Sequence, residues 1–504
     1  MRHIMIGLSL FLVLFTPIST WAEEAGPSPP ALKLGLQEAI MLALSNNVDI
    51  RIERLNPEIA EASIEVEESV FDPAVTAEAG KNVSKTQTPV ARFLTGSLEP
   101  SENAVDVQAG VQKKFTTGGT AQLQSGNNRL NSNSFVQRFD PQYTTDLTLS
   151  VTQPLFKDFG RDFNMTGIFL AKNNKEISDT QFRQRVIDVI AAVKEAYWNL
   201  VGAIELLDVA EQSVQQAQEL VEINQAKVEA GQLAPIDVIE AEAGVAAREE
   251  AVILTEDLIR DIEDQLRNLL YLDGELPKTF APIIPLDQPT DARLALSLRP
   301  SIDTALKKRP DYLQTKIELE NRLLTLKAAE NQVRPRVDLV ASAGVNGLGG
   351  TYGDSLDEMD GDYYDLRIGL RFEYPLGNRA ARSQVVQRKL EQRQVELRLD
   401  DLEKIIALEV KEAVRQVETD FKRIRTTRVA RILAEKKLEA EQAKFEVGIS
   451  TTKDVLDFQI DLAQQRSREL QAIIDYNNSR VRLHRSMGTT LEENKVALDV
   501  PGSS

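Results

Sequence analysis

The chain has 504 residues and a formal net charge of −18, with 59 basic residues against 77 acidic ones. That balance excludes a nucleic-acid partner, which requires a basic face. The absence of cysteine excludes disulfides and a thioether-linked lipid, and 6% aromatic with 27% charged residues fits long, partly solvated helices rather than one large core.

Residues 1–22 predict a secretory signal peptide. Arg2 and His3 precede an apolar run from Ile4 to Phe15, Pro17 breaks it, and Thr20-Trp21-Ala22 offers a cut after Ala22. The apolar run is shorter than the ~20 residues a membrane helix needs. Residues 23–35 form a Pro-rich lead-in, and residues 36–72 read as helix, with Ala39, Ile40, Ala43 and Leu44 on one face.

Residues 73–156 have another texture, poor in charge and rich in Thr, Ser, Asn, Gln and Gly. The alternation Val105-Asp-Val-Gln-Ala-Gly-Val111 and Leu147-Thr-Leu-Ser-Val151 fits strands with one lipid-facing and one wet face. A soluble sandwich would use the same pattern. Gly/Asn-rich residues 125–134 read as a turn or mobile loop. Proline cannot donate to a ladder, so Pro154 closes the block.

Residues 157–275 predict a long helical hairpin. Its first arm carries Phe182, Val186, Val189, Val193, Ala196, Leu200, Ala203, Leu207, Ala210, Val214, Ala217 and Val221, in steps of four and three. That is the 3.5-residue period of a coiled coil. Arg161 to Ala230 is 70 residues, roughly 105 Å of helix, which suits the depth of a periplasm. The arm stops at Gly231, since glycine enters the left-handed conformation without penalty. Asp237 suits the restart of a helix.

After a linker at residues 276–298 the pattern recurs. Residues 299–334 match the first helices at an offset of 262, with Ile40 over Ile302, Ala43-Leu44 over Ala305-Leu306 and Pro73 over Pro335. Residues 335–376 hold two alternating runs, Val337 to Val345 and Leu366 to Phe372, around a Gly/Asn-rich loop at residues 346–353. Residues 377–490 match the first hairpin at an offset of 217, placing Gly231 over Gly448 and Asp237 over Asp454. The offsets differ by 45, so repeat one holds about that many additional residues, either an added strand pair or a long loop. Residues 491–504 read as a loosely ordered tail. The chain is a duplication of helix, strands and long hairpin. Two strand blocks cannot close an adequate barrel alone, and open edges in lipid are prohibitive, so several chains must share one.

On the paired tips (Gly-x5-Asp-Val), the Pro-Leu strand exits at Pro154 and Pro375 and the duplication, the chain resembles the TolC-like outer-membrane efflux family over essentially its whole mature length. The resemblance implies a mainly α fold with membrane β. A homotrimer would share one β-barrel, with four strands from each chain, above a periplasmic α-helical coiled-coil tunnel. It implies an exit duct for efflux or type I secretion, in contact with outer-membrane lipid. The duct would dock on a periplasmic adaptor and an inner-membrane pump of the RND, ABC or MFS class. Asp454 and Asp457 would ring the periplasmic mouth, and Gly231, Asp237, Gly448, Ser450 and Asp454 would form tip turns contacting the adaptor. Helix capping is the competing reading for Asp454 and the favoured one for Asp237. Some relatives place an interprotomer arginine where this chain has Ser450, so that lock is not expected. No catalytic constellation, cofactor or metal site is expected; His484 and Tyr197-Trp198 read as packed or solvated side chains. A periplasmic adaptor and a coiled-coil adhesin or filament are the alternative functions.

Overall fold

The structure, a computed structural model, describes residues 31–85, 87, 101–134, 137–271 and 281–498. The expected signal, most of the lead-in, part of the inter-repeat linker and the end of the tail lie outside the described residues.

A short strand β1 (Leu32–Leu34) leads into α1 (Leu36–Asn46) and α2 (Val48–Glu68). Four strands follow: β2 (Ala74–Lys85), β3 (Ser101–Lys114), β4 (Thr120–Ser132) and β5 (Gln142–Pro154). After a one-turn helix α3 (Arg161–Asn164), the long hairpin is α4 (Thr166–Glu229) and α5 (Pro235–Leu270). Repeat two comprises β6 (Ile283–Pro285), α6 (Leu298–Lys308), α7 (Pro310–Gln332), β7 (Arg336–Gly349), α8 (Tyr352–Asp357), β8 (Tyr364–Glu373), α9 (Arg379–Glu446) and α10 (Thr452–Ser486), followed by α11 (Thr490–Glu493). The helix pair α6 and α7 starts at the same 262-residue offset from α1 and α2 that the sequence displays.

Six strands form one antiparallel meander in the order β2, β3, β4, β5, β7, β8. This corrects the four strands per chain that the resemblance implied: the additional residues of repeat one supply an in-sheet pair. Residues 125–132 and 346–349 are strand as well, against the expectation of loops. Their glycines sit where neighbours come too close for a side chain, which is a recognised use of glycine in strands. A Cβ on Gly126 would meet the Asp146 carboxylate, and one on Gly347 would meet the Ser355 carbonyl. The side-chain period of two holds across the whole sheet. Val75, Val111, Leu123, Leu149, Ala343 and Leu366 lie side by side on one face, and Thr76, Gly110, Gln124, Thr148, Gly344 and Asp365 on the other. Among the described residues no helix is long and apolar enough to cross a membrane.

Midway down, α4 is buried almost all round from Val186 to Val201, because α1, the parallel pair of β1 with β6, α5 and α10 enclose it. Tyr197 is fully buried, and its hydroxyl donates to Asp287 at 2.8 Å and accepts from the Leu286 N–H at 3.1 Å. Burial raises that phenol to about 12. Farther down the seam Ala217 is buried, while Leu207, Ala210, Val214 and Val221 are half-buried, because one side of the arm faces solvent. The tail differs from its expectation as far as residue 498: Leu491, Val496 and Leu498 pack on this core, and the Asn494 side chain accepts from buried Lys194 at 3.1 Å. His484 lies beneath it, half-buried, 3.1 Å from the Thr489 hydroxyl.

The paired hairpin tips as candidate functional site

Each tip is a helix stop and restart. At the first, Gly231 adopts φ +72°, and the Gln232 N–H reaches back to the Lys227 carbonyl at 2.8 Å, closing α4 in a Schellman-type turn. At the second, Gly448 adopts φ +79°, and the Ile449 N–H donates to the Lys444 carbonyl at 3.0 Å. A side chain in this left-handed region would be strained, which accounts for glycine at both positions.

The restarts differ. Thr451 caps α10: its hydroxyl accepts from the Asp454 N–H at 3.2 Å, while an Asp454 oxygen accepts from the Thr451 N–H at 3.2 Å and from the Thr451 hydroxyl at 2.6 Å. Those donors hold the Asp454 carboxyl below the usual carboxylate range. At α5 the Asp237 carboxylate accepts from the Ala234 N–H at 3.1 Å, but Ala234 has no side-chain acceptor to answer it. Asp237 thus caps its helix, and Asp454 caps one while remaining exposed at the tip.

Ser450 turns inward, donating to Glu441 at 2.6 Å, and Glu441 also accepts from Lys444 at 2.8 Å. Lys444 first, then Ser450, lowers the Glu441 pKa. Asp457 is exposed one turn beyond Asp454, on the wall of a groove of about 770 Å³ between α4, α5 and α10.

The tips are joined within one chain. Leu220, Ala434, Leu438, Phe445, Val455, Leu456 and Leu462 form one apolar cluster from both hairpins. Asn224 donates to the Thr452 hydroxyl and to the Asp237 carbonyl, both at 3.0 Å. Lys227 donates to the Phe445 carbonyl at 2.7 Å and lies 3.8 Å from the centre of its ring. Buried Arg248 bridges Ser213 on α4 and Gln459 on α10, at 3.1 and 3.2 Å. Its partners are neutral, and burial lowers its pKa. Sequence reading did not single out Asn224, Arg248 or Gln459; Lys227 stood in the repeated motif, aligned with Lys444, without an assigned role.

An amphipathic sheet with two free edges, carried on helical hairpins whose long arms (α4 and α9) run roughly 100 Å, defines a channel-forming outer-membrane protein. Residues 39–270 and 301–489 match the family model for the outer membrane efflux protein, and the chain belongs to that family. Its function is that of an outer-membrane exit duct. It is 23% identical over 371 residues to outer membrane protein TolC of Escherichia coli (strain K12), covering 70% of this chain and 71% of that protein. It is 22% identical over 449 residues to outer membrane efflux protein BepC of Brucella suis biovar 1 (strain 1330), covering 88% of this chain and 82% of that one. The fold matches a solved structure of the outer-membrane channel OprN with a TM-score of 0.67 at 17% identity, covering 90% of each chain.

Proposed function

We propose that three copies of this chain form a passive duct from the periplasm to the exterior, taking cargo from a periplasmic adaptor and an inner-membrane pump. In this reading residues 1–22 direct export, and the mature chain is held in the outer membrane by its sheet rather than by a lipid anchor. The observation that carries it is the pairing of an amphipathic, open-edged sheet with two long hairpins that meet in one apolar tip cluster. The sheet needs neighbouring copies to satisfy its edges in lipid, and the hairpins extend the wall away from the membrane. Gly231, Asp237, Gly448, Ser450 and Asp454 make up the surface offered to the adaptor. Asp454 and Asp457 from three copies place six carboxylates around the mouth, a field favouring cations over anions.

In planar bilayers the channel is expected to be cation-selective and blocked by multivalent cations added from the tip side. Asp454→Asn combined with Asp457→Asn should relieve the block. Asparagine retains a carbonyl acceptor for the Thr451 N–H, so the change removes charge while preserving a cap. Undiminished block in the double variant would remove both residues from the mouth.

A further inference from the structure

Strands β2 and β7 occupy matching places, each starting directly after the aligned Pro73 or Pro335. Strands β5 and β8 likewise match, each leading into a long helix. In repeat two the matching strands are hydrogen-bonded neighbours, from Arg336 opposite Glu373 to Val345 opposite Tyr364. In repeat one, β3 and β4 stand between them. The hairpin of β3 and β4 is therefore an insertion into the wall. It continues the pairing on both sides, Ala74 to Lys85 against β3 and Thr120 to Leu130 against β5. Four of its five large apolar residues, Val105, Val107, Val111 and Leu123, stay on the face that carries Val75, Leu149 and Ile368, and Leu130 lies on the other. A surface loop would have no reason to keep that phase, because a one-residue slip would turn every apolar side chain to the wet face.

The sheet ends in two free edges. On β8, Leu366, Ile368, Leu370 and Phe372 are 69–72% exposed, and on β2, Val75 is 78% exposed. The helical layer below has matching flanks. The helix α2 packs on α4, α4 on α7 and α7 on α9, leaving α2 and α9 outermost. Each flank carries an uncovered apolar stripe: Ile52, Leu55 and Ile59 on α2, and Val386, Leu390 and Leu397 on α9. Both layers are thus unfinished at the same two ends. The partner that finishes β2 with α2 is the β8 and α9 flank of another copy, a head-to-tail contact that closes into a ring.

We propose that the inserted hairpin widens the shared barrel to six strands per copy, giving eighteen strands in a ring of three; the number three rests on the proposed function. Barrel diameter grows roughly linearly with strand number, so the bore is about 1.5 times that of a twelve-stranded ring. The inserted pair adds an amide-rich lining that also carries Glu102, Asp106 and Lys114. Gln108, Gln112, Gln122, Gln124 and Asn128 lie on the polar face, and Gln124 donates to Gln108 at 2.8 Å. The widening therefore adds room for bulky polar cargo along a mostly amide wall in which Asp106 is the mid-strand charge.

Electron cryomicroscopy of the detergent-solubilised full-length protein reads copy number and strand number separately. A threefold particle with eighteen strands in cross-section is the expected result. A threefold particle with twelve strands would overturn the insertion and leave the duct intact, whereas absence of a ring would overturn both. In bilayers, neutral polymers entering from the barrel end should be admitted up to a diameter about 1.5-fold larger than in a variant lacking residues 101–132. Equal cut-offs in the two proteins would overturn the proposal, and the microscopy of the unaltered chain stands if that variant does not fold.

Discussion

In the hairpin of α9 and α10, charge ties the arms together. Arg428 and Arg431 donate to the two oxygens of nearly buried Glu469, at 2.8 and 2.6 Å, and Arg423 donates to Asp475 at 2.8 Å. In the hairpin of α4 and α5 a corresponding cross-arm contact is Arg248 to the Ser213 hydroxyl, a cation on a neutral partner. The return arms differ as well. On α5, Ile236, Ile239, Ile253 and Leu254 are 59–65% exposed, whereas on α10 the most exposed large hydrophobic among the described residues is Ile460 at 44%. Repeat two closes its hairpin with its own ion pairs. Repeat one holds its arms with a neutral polar contact and carries its exposed apolar residues on the return arm, whereas repeat two carries them on the long arm α9, at Val386, Leu390, Leu408 and Leu433. Duplication kept the geometry of the hairpin and let the two copies divide its duties.

The largest effect should come from reversing those two arrangements with one chemistry. Glu469→Met leaves two arginines facing a thioether and should lower the local stability of α9 and α10 by about 2 kcal/mol, since unpairing a nearly buried charge network is costly. Arg248→Met removes a buried cation that has no carboxylate partner, and replacing such a group by an apolar one of similar volume is often neutral. Its cost should stay below about 1 kcal/mol. Hydrogen exchange along both hairpins in the assembled protein measures the two side by side. Equal losses would mean that the hairpins are not held differently.

How much of this was legible beforehand varies with the physics involved. The duplication, the strand alternation and both tip glycines were readable, because side-chain period and positive φ leave direct marks on residue type. Strand β4 was not, because Ser125-Gly-Asn-Asn-Arg129 carries the composition of a turn. There glycine answers a close approach by Asp146 from the neighbouring strand, a long-range contact that no local pattern encodes. Strand number per chain was open for the same reason. At the tips, Asp237 and Asp454 were legible as caps from their position before an apolar run. The partners that fasten one hairpin to the other, Asn224 to Thr452 and Arg248 to Gln459, lie more than 200 positions apart and follow from packing alone.

A smaller effect separates the two restarts. Thr451→Ala removes the acceptor for the Asp454 N–H and should destabilise the first turn of α10 by about 1 kcal/mol. At the other tip the missing half can be supplied. Ala234 sits at φ −84° and ψ 150°, the extended geometry of an N-cap, so Ala234→Ser completes the box with Asp237 already in place. That variant should gain about 0.5–1 kcal/mol in the first turn of α5. Hydrogen exchange of the two first turns is the measurement, and the wild-type difference between them should shrink in both variants. A gap that persists in Ala234→Ser would assign it to the apolar packing under the tips instead of to the caps.

The smallest effect, dependence on pH, isolates the charged half of the second cap. The Thr451 hydroxyl and N–H hold the folded Asp454 carboxyl below its unfolded value. A carboxyl shifted this way contributes stability that is fully present above its unfolded pKa and is lost as pH falls through its folded one. Protection of the α10 first turn should therefore decline between about pH 5 and pH 2, with its midpoint below the ordinary carboxylate range. Exposure of the group to solvent keeps the contribution small. Lys444 and Lys453 add a weaker pull in the same direction, so raised salt should move the midpoint only slightly upward. In Thr451→Ala the donated hydroxyl is gone and the midpoint should move toward the ordinary value. In Asp454→Asn this step should vanish while the acceptor for the Thr451 N–H remains. A decline of the same size and midpoint in Asp454→Asn would transfer the titration to Glu441, whose carboxyl shares Lys444 and Ser450 on the other side of the turn.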